Sequence, residues 1–335
     1  MAKGIQTSNG KAFEYACVDS LYRMLSENQE VVIEESPQLE TARGFFENAT
    51  ADLKESIIKA ADAASRVIVR LEPQLTYPES NSPLYLSLQT DAKGQAGDVR
   101  DVLCVRNQNG WEVGFSCKHN HHAVKHSRLS ATIDFGKEWF DIPCSYTYFI
   151  KAGSLFGELK EMRDTSRVAE TPMLWADIED KADRYYKPVL NAFMEEIQRL
   201  DEENPGVIPE RLIRYLIGRN DFYKVIADDK GAFTRVEAIN INGTLNQKAG
   251  TYAPIVKVPL LKLPDRIYHI GYKPGSDNTI QIVCNEGWEI SMRIHSASSK
   301  VEPSLKFDVN LISLPSSIYA QSEPCLLYTS PSPRD

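Results

Sequence analysis

The run DVLCVRNQNGWEVGFSCK, residues 101–118, decides how this chain folds. Its first part is apolar and β-branched, and the Asn-Gly pair in its middle is typical of the tight turn of a β-hairpin. In its second part the side chains alternate between two faces, so that Ser116 and Lys118 lie on the same face. The run therefore predicts two antiparallel strands, over residues 99–106 and 111–118.

The charged end of this predicted hairpin is a candidate catalytic centre. Pairing of the strands brings Ser116 and Lys118 near the start of the first strand, where Asp98 and Asp101 lie. Carboxylate oxygens can hold Mg²⁺, and a lysine beside them can orient or activate a water molecule and stabilise the charge of a phosphate. These residue types at this spacing indicate metal-assisted hydrolysis.

The charge of the chain is unevenly distributed. The net charge of −8, taken as a whole, argues against a polyanionic partner. However, residues 101–137 carry 5 Lys and Arg against 3 Asp and Glu, and residues 205–306 carry 14 against 10. The run KHNHHAVKHSR, residues 118–128, contains no carboxylate. Because charges in solution act over a Debye length of about 10 Å, such local basic regions are compatible with DNA binding.

The order of predicted elements indicates an α/β fold. Residues 11–26 carry apolar side chains at steps of four, which predicts a helix, and residues 177–203 predict a long charged helix. Residues 146–150 are strand-like, and residues 255–263 are the first of several predicted strands in a largely β final third.

Composition and order also suggest a domain organisation. We expect an α/β core over residues 1–204 and a β-rich elaboration of the same domain over 205–324. The final run CLLYTSPSPRD, residues 325–335, resembles translated sequencing-adapter sequence, and we expect it to be a non-native tail.

The hairpin resembles the signature of the PD-(D/E)xK nucleases, in which a strand-opening Asp is followed, after a turn, by an acidic residue, any residue and Lys. Here the second element is Ser116-Cys117-Lys118, so a serine stands where the signature has a carboxylate. Glu112 lies on the same face but roughly 13 Å along the strand, too far to replace it. The resemblance implies that Glu14, on the first predicted helix, supplies the compensating carboxylate.

Five separate runs resemble the HaeIII family of type II restriction endonucleases. They are DAKGQAGDVRDVL (91–103), SCKHNHHAVKHSRLS (116–130), DFGKEW (134–139), LIGRNDFYKV (216–225) and RIHSASSKVEPSLKFD (293–308). The resemblance extends from about residue 10 to residue 315. It implies a restriction-endonuclease-like core with a mixed β-sheet flanked by helices, and Mg²⁺-dependent cleavage of double-stranded DNA. The implied target is GGCC, cut bluntly between the central G and C.

The same resemblance implies roles for individual residues. Asp101 is the expected Mg²⁺ ligand, and Asp98 is the alternative to it. Glu14 and the backbone carbonyl of Cys117 are expected to bind the same ion. Lys118 is expected to position the attacking water. The residues expected to contact phosphates or base edges after the catalytic strand are His121, Lys125, His126 and Arg128. The candidates for reading guanine are Arg211, Arg214, Arg219, Arg293 and Lys306.

Location and partners follow from the same observations. No apolar stretch approaches the roughly 20 residues of a membrane-spanning helix, and the first ten residues lack the apolar segment of a secretory signal. We therefore expect a cytoplasmic protein with no membrane partner, acting as a monomer or a homodimer. A cognate cytosine methyltransferase is expected as a genetic partner, since a host must protect its own sites.

Other functions fit some of these residues. Cys117 and the histidines that follow it could suggest zinc, but the chain has no second paired Cys motif. A DNA-binding protein with weakened catalysis is an alternative, because Ser116 removes a carboxylate. A structure-specific DNA repair nuclease would use the same catalytic residues without giving fragments defined by sequence.

Overall fold

The structure is a computed structural model that describes residues 2–90, 97–119, 127–228 and 232–325. Within these ranges the helices are α1 (Ala2–Leu25), α2 (Pro37–Glu47), α3 (Ala51–Leu71), α4 (Pro73–Thr76), α5 (Phe135–Phe140), α6 (Tyr146–Val168), α7 (Lys187–Glu203) and α8 (Ile208–Ile217). The strands are β1 (Val31–Ile33), β2 (Leu84–Leu88), β3 (Val102–Arg106), β4 (Trp111–His119), β5 (Arg128–Ser130), β6 (Phe222–Asp228), β7 (Phe233–Ile239), β8 (Ile267–Tyr272), β9 (Thr279–Cys284), β10 (Glu289–His295), β11 (Ser304–Ser313) and β12 (Ala320–Pro324). A 3₁₀ turn (Trp175–Asp177) and a π-helical turn (Ala182–Tyr186) precede α7.

The chain forms two compact units. The first unit consists of Met1–His122, Arg219–Leu261 and Ser317–Asp335, and the second consists of Ala123–Gly218 and Lys262–Ser316. Each unit contains chain from both sides of residue 204, so neither corresponds to a single stretch of sequence. The expected tail begins at Cys325, and its remaining residues lie outside the described ranges.

The first unit is built on a seven-stranded mixed sheet in the order β1-β2-β3-β4-β6-β7-β12. The predicted hairpin is confirmed as the antiparallel pair β3 and β4. β4 then pairs in parallel with β6, a neighbour more than a hundred residues away in sequence. This parallel pairing extends the hairpin into the middle of a large sheet.

One face of the seven-stranded sheet is covered by helices and holds the core of the first unit. Phe13 and Cys17 of α1 pack with Phe115 and Cys117 of β4 in one buried hydrophobic cluster, which Val225 of β6 joins. Since successive strand residues point to opposite faces, the side chains that alternate with Phe115 and Cys117 lie on the other face. This second face is the polar face of the seven-stranded sheet.

The second unit is built on a five-stranded antiparallel sheet in the order β5-β11-β10-β9-β8. The buried side of β10 is formed by Ile290, Met292 and Ile294. On β11 the aromatic ring of Phe307 lies 5.0 Å from that of Phe193 of α7, measured between ring centroids. The inner face of this sheet therefore packs against helices, and the alternate residues form its outer face.

Two predicted strands are wrong. Residues 146–150 begin helix α6, because the hydroxyl of Ser145 caps the helix by accepting a hydrogen bond from the Tyr148 backbone N–H at 3.1 Å. Residues 255–263 form no regular strand, since Pro259 removes a backbone donor that a central strand needs.

The predicted fold class is confirmed at the level of architecture. The structure is an α/β fold with a mixed sheet flanked by helices and a β-rich C-terminal part. Among the residues described, no helix combines the length and apolar character needed to cross a lipid bilayer.

Candidate active site

Asp101 lies at the centre of the candidate site, immediately before β3. Its backbone N–H donates to the carbonyl of Phe115 at 2.7 Å, which fixes it opposite β4. Its Oδ2 accepts a hydrogen bond from the Cys117 backbone N–H at 2.7 Å and another from the Ser116 hydroxyl at 3.4 Å. The Nζ of Lys118 lies 3.5 Å from the same oxygen. The structure thus brings together Asp101, Ser116 and Lys118, as the hairpin predicts.

Glu14 enters the same electrostatic environment from α1. Its side chain is buried, and its Oε2 lies 3.0 Å from Nζ of Lys11. Burial raises the pKa of Glu14 to about 7, and the negative charge of Asp101 acts in the same direction, whereas Lys11 and Lys118 oppose the shift. Two carboxylates of like charge therefore share this centre with Lys118.

Cys117 presents only its backbone to the candidate site. Its thiol points into the core of the first unit, where a hydrogen bond with Cys17 and burial raise its pKa. The neighbouring ring of His119 packs 6.1 Å from the ring of Phe13, between centroids. The described ranges hold no group of three or more His, Cys, Asp and Glu side chains suited to a metal ion. His121 and His126 lie outside those ranges.

Asp98, the rival of Asp101, is held by Arg100. The guanidinium of Arg100 donates to its two oxygens at 2.8 and 2.7 Å, and Gln89 Nε2 donates at 2.8 Å. Burial alone would raise the pKa of Asp98, but these hydrogen bonds outweigh burial and lower it. Arg100 also bonds Glu112 at 2.7 Å. Asp98 and Glu112 thus both form hydrogen bonds with Arg100, whereas Asp101 is the aspartate that contacts Lys118.

The structure adds Lys224, a residue that the sequence analysis missed. β6 pairs with β4 so that Lys224 lies beside Ser116, and with β7 so that Glu237 lies on its other side. Asp101, Ser116, Lys224 and Glu237 therefore form a row across the polar face. Lys224 is only 8% exposed, and burial lowers its pKa, with the charge of Lys118 acting in the same direction and Glu237 opposing.

A signal for Lys224 was present in the sequence. It is a single charged residue within the otherwise apolar strand FYKVIA, and it falls in one of the five family-like runs. Its place beside Ser116 could not be inferred from that signal, because the β4–β6 register joins distant parts of the chain.

The predicted DNA-contacting residues fall in different places. Arg128, Arg293 and Lys306 lie on the outer face of the five-stranded sheet. Arg214 pairs with Glu210 along α8 at 2.8 Å, and the guanidinium of Arg211 donates to the carbonyl of Phe140. Arg219 is exposed in the first unit, where its own carbonyl accepts from Asn242 at 2.9 Å. The remaining candidates lie outside the described residues: His121, Lys125 and His126.

Comparison with known proteins supports the family resemblance over nearly the whole chain. The model of the HaeIII restriction endonuclease family matches residues 10–315. The type II restriction enzyme HaeIII of Haemophilus aegyptius is 37% identical over 316 residues, which cover 94% of this chain and 97% of that protein. No solved structure matches the chain. An enzyme family is thus identified both by a family model and by a relative of nearly equal length: this chain belongs to the HaeIII restriction endonucleases, a family of nucleases that hydrolyse DNA.

Proposed function

We propose that this chain is a site-specific endonuclease of a restriction system that cuts double-stranded DNA at GGCC, bluntly between the central G and C, and uses Mg²⁺. The contact of Asp101 with Lys118, at the ends of two paired strands, is the observation that carries the proposal. The similarity to the type II restriction enzyme HaeIII supports the target sequence.

The residues of the centre fit a magnesium ion. Asp101 and Glu14 supply oxygen ligands. Burial, and to a smaller extent the repulsion between the two carboxylates, raises the pKa of Glu14, and a bound cation would relieve that repulsion. Mg²⁺ keeps several waters and is commonly bound by one or two carboxylates together with substrate phosphate. We therefore propose Asp101 and Glu14 as ligands, with the Cys117 carbonyl as a third. When bound, the ion would polarise the scissile phosphate and offset its negative charge.

The protein groups around this centre have separate proposed roles. Lys118 donates a hydrogen bond to the attacking water and holds it for addition to phosphorus. As the bond from phosphorus to the leaving oxygen breaks, the attacking water releases a proton to solvent and the leaving oxygen takes one up from solvent. Asp101 keeps the Lys118 ammonium in place, and the Cys117 N–H in turn fixes Asp101. Ser116 lacks the charge of the usual acidic residue, so Glu14 takes over that part.

Double-stranded DNA is the proposed partner. The proposed contacts to phosphates or bases are His121, Lys125, His126, Arg128, Arg214, Arg219, Arg293 and Lys306. A cytosine methyltransferase gene beside this one would fit the proposal, since modification of the same site protects the host. We propose the cytoplasm as the place where both act.

A plasmid digest tests the proposal. Purified full-length protein should convert a plasmid with mapped GGCC sites into discrete fragments in Mg²⁺, with ends that map between the central G and C, and EDTA should stop the reaction. Binding without cutting would favour the alternative of weakened catalysis, which Ser116 motivates. Cutting of only branched or damaged DNA would favour a repair nuclease. Either result would overturn the proposal.

A matched pair of variants tests the assignment of Asp101. Asp101→Asn should abolish cutting in Mg²⁺ while binding to a GGCC duplex in Ca²⁺ persists. Asp98→Asn removes an aspartate three residues away whose carboxylate is held by Arg100, and cutting should persist. Loss of cutting in Asp98→Asn with retention in Asp101→Asn would reverse the assignment.

A further inference from the structure

The outer face of the five-stranded sheet carries an ordered set of basic side chains. Arg128 of β5 pairs with Lys306 of β11, and Lys306 pairs with His295 of β10. Neighbouring strands are about 4.8 Å apart, so these three side chains stand side by side across three strands. The neighbouring residues Leu129 and Phe307 are fully buried, which shows that the alternate set, with Arg128 and Lys306, points outward.

Arg293 stands next to this row and is oriented by a carboxylate. Its NH2 donates to Oδ2 of Asp308 at 2.8 Å, and the side chain of Arg293 remains 57% exposed. Asp308 Oδ2 is also 3.1 Å from Nε2 of His295, whose Nδ1 donates to the carbonyl of Ser296 at 2.7 Å. Asp308 thus holds Arg293 through one N–H of NH2, while the nearby Nε2 of His295 makes no hydrogen bond among the described residues.

The remaining N–H donors of Arg293 are available to a ligand. Within the part of the chain that the structure describes, neither Nε nor NH1 of Arg293 makes a hydrogen bond. The two forks of a guanidinium are Nε with NH2 and NH1 with NH2, so the second N–H of NH2 forms a parallel pair with the Nε–H or with an N–H of NH1. Such a pair matches the O6 and N7 acceptors that guanine presents in the major groove. Holding the arginine in place before binding reduces the side-chain entropy lost on binding.

The charge of the face agrees with a nucleic-acid partner. Arg128 and Lys306 are suited to phosphates, whereas the carboxylate of Asp308 is already paired with Arg293. Glu289, a carboxylate on the outer side of β10, accepts a hydrogen bond from Gln281 at 3.2 Å. Strands carrying such side chains can read DNA in the major groove, which is about 12 Å wide.

We propose that the outer face of the five-stranded sheet binds duplex DNA, with Arg293 reading a guanine of the target through O6 and N7. Asp308 is a positioning residue for Arg293, and Arg128 and Lys306 contact phosphates. This inference rests on the proposed function for its ligand, and it adds the surface and the base contact.

Binding of modified duplexes to the full-length protein tests the base contact. Binding is measured in Ca²⁺ with a GGCC duplex and with duplexes in which one guanine is 7-deazaguanine, which lacks N7. A duplex with inosine, which keeps O6 and N7, controls for the change of base. Wild-type protein should lose about 10- to 100-fold in affinity for one 7-deazaguanine duplex. Arg293→Gln should lose a similar amount for the normal duplex and show no further loss for the modified one.

Arg184→Gln is the matched control for Arg293→Gln. Arg184 is also an arginine of the second unit, 51% exposed and paired with one carboxylate, Glu158, at 3.2 Å. The Arg184→Gln variant should bind the normal and the 7-deazaguanine duplexes with the same affinities as the wild type. Asp308→Asn should retain the fold by circular dichroism but reduce discrimination between the normal and 7-deazaguanine duplexes, an effect that a purely structural role would not produce.

The phosphate contacts have a separate readout. Lys306→Gln should lower the slope of log affinity against log salt by about one, without changing the response to 7-deazaguanine. If Arg293→Gln and Arg184→Gln bind alike while the wild type still cuts at GGCC, the inference fails and the proposed function stands. If the wild type cuts at another sequence and Arg293→Gln still removes sensitivity to 7-deazaguanine, the surface stands and GGCC is wrong.

Discussion

The two sheets of this molecule carry charges in opposite ways. In the unit built on the seven-stranded sheet, Glu14 of α1 and Lys224 of the polar face are buried, and their pKa values are displaced toward the neutral form. On the outer face of the five-stranded sheet, Arg293 is mostly exposed and is held by Asp308. Buried charges lose hydration and interact strongly with a reacting group, whereas exposed arginines keep their charge and are free to form hydrogen bonds with a ligand. This difference is consistent with the two proposals, in which the first sheet carries the cutting centre and the second sheet reads the DNA.

Substitution of Lys118 is expected to have the largest effect, because it should reduce cleavage without reducing DNA binding. Lys118→Met should lower the single-turnover cleavage rate by about 10³-fold or more, because the water loses its positioning donor. Its affinity for a GGCC duplex in Ca²⁺ should stay within about threefold of wild type. Lys160→Met, which removes an exposed lysine of α6 paired with Asp164, is the control and should cut normally. If Lys118→Met cuts at the wild-type rate, Lys118 has no role in cleavage and the proposed division between a cutting sheet and a reading sheet is wrong.

The part of the site on the β3–β4 hairpin could be predicted because it depends only on residues that are close together in sequence. Alternation and the Asn-Gly turn were enough to bring Asp101, Ser116 and Lys118 together. They did not show whether Asp98 or Asp101 contacts Lys118, since the answer depends on Arg100, whose guanidinium binds Asp98. Lys224 was missed because its position follows from a parallel pairing between distant strands.

The same limit explains what was wrong in the fold. Residues 146–150 have strand-like aromatic and β-branched side chains, but the cap at Ser145 and the rest of a 23-residue helix determine their conformation. Local pattern could indicate strands in the final third of the chain. Only the pairing of β5, β10 and β11 shows that Arg128, Lys306 and Arg293 share one face of a sheet.

A buried carboxyl outside the active site isolates the effect of burial. Glu72 is fully buried, its Oε1 accepts from the Tyr223 hydroxyl at 2.6 Å and from the Asn246 N–H at 2.7 Å, and its Oε2 has no hydrogen-bond partner among the described residues. Burial raises the pKa of Glu72 to about 7, against the opposing effect of these two hydrogen bonds. The folded state therefore binds the proton more tightly than the unfolded state, and stability should fall as pH rises from about 4.5 through 7.

Glu72→Gln should remove this dependence. The variant and the wild type should have similar free energies of unfolding near pH 4.5, and the variant should be more stable above pH 7 by on the order of 3 kcal/mol. Urea unfolding at several pH values measures this difference, and Glu40→Gln, at an exposed position of α2, is the control. Parallel stability curves for wild type and Glu72→Gln would show that burial does not govern this carboxyl.

Crowding on the polar face of the seven-stranded sheet gives the next prediction. A Cβ at Gly114 would lie 2.3 Å from Cδ of Arg100 and 2.9 Å from Cδ2 of Leu103. Gly114→Ala should therefore displace Arg100 from Asp98 and lower the free energy of unfolding by about 2 kcal/mol. Gly153→Ala, on α6 in the second unit, meets no atom within 4 Å and should raise it by about 0.5 to 1 kcal/mol. Equal effects at the two glycines would contradict the packing described for Arg100.

Lys224 is expected to have the smallest effect on cleavage, and its substitution tests whether it contributes to the cutting centre of the seven-stranded sheet. Its ammonium lies in the row with Ser116 and Glu237, and its positive charge is poised to favour the growing negative charge of a phosphate under attack. Lys224→Gln should lower the single-turnover cleavage rate about tenfold and leave duplex affinity in Ca²⁺ unchanged, whereas Lys224→Arg should recover part of the rate. Because burial lowers the pKa of Lys224, the ratio of wild-type to Lys224→Gln rates should also decline at high pH, where the lysine loses its proton. A ratio that stays constant with pH, together with equal rates for the Gln and Arg variants, would mean that Lys224 only fills space between Ser116 and Glu237.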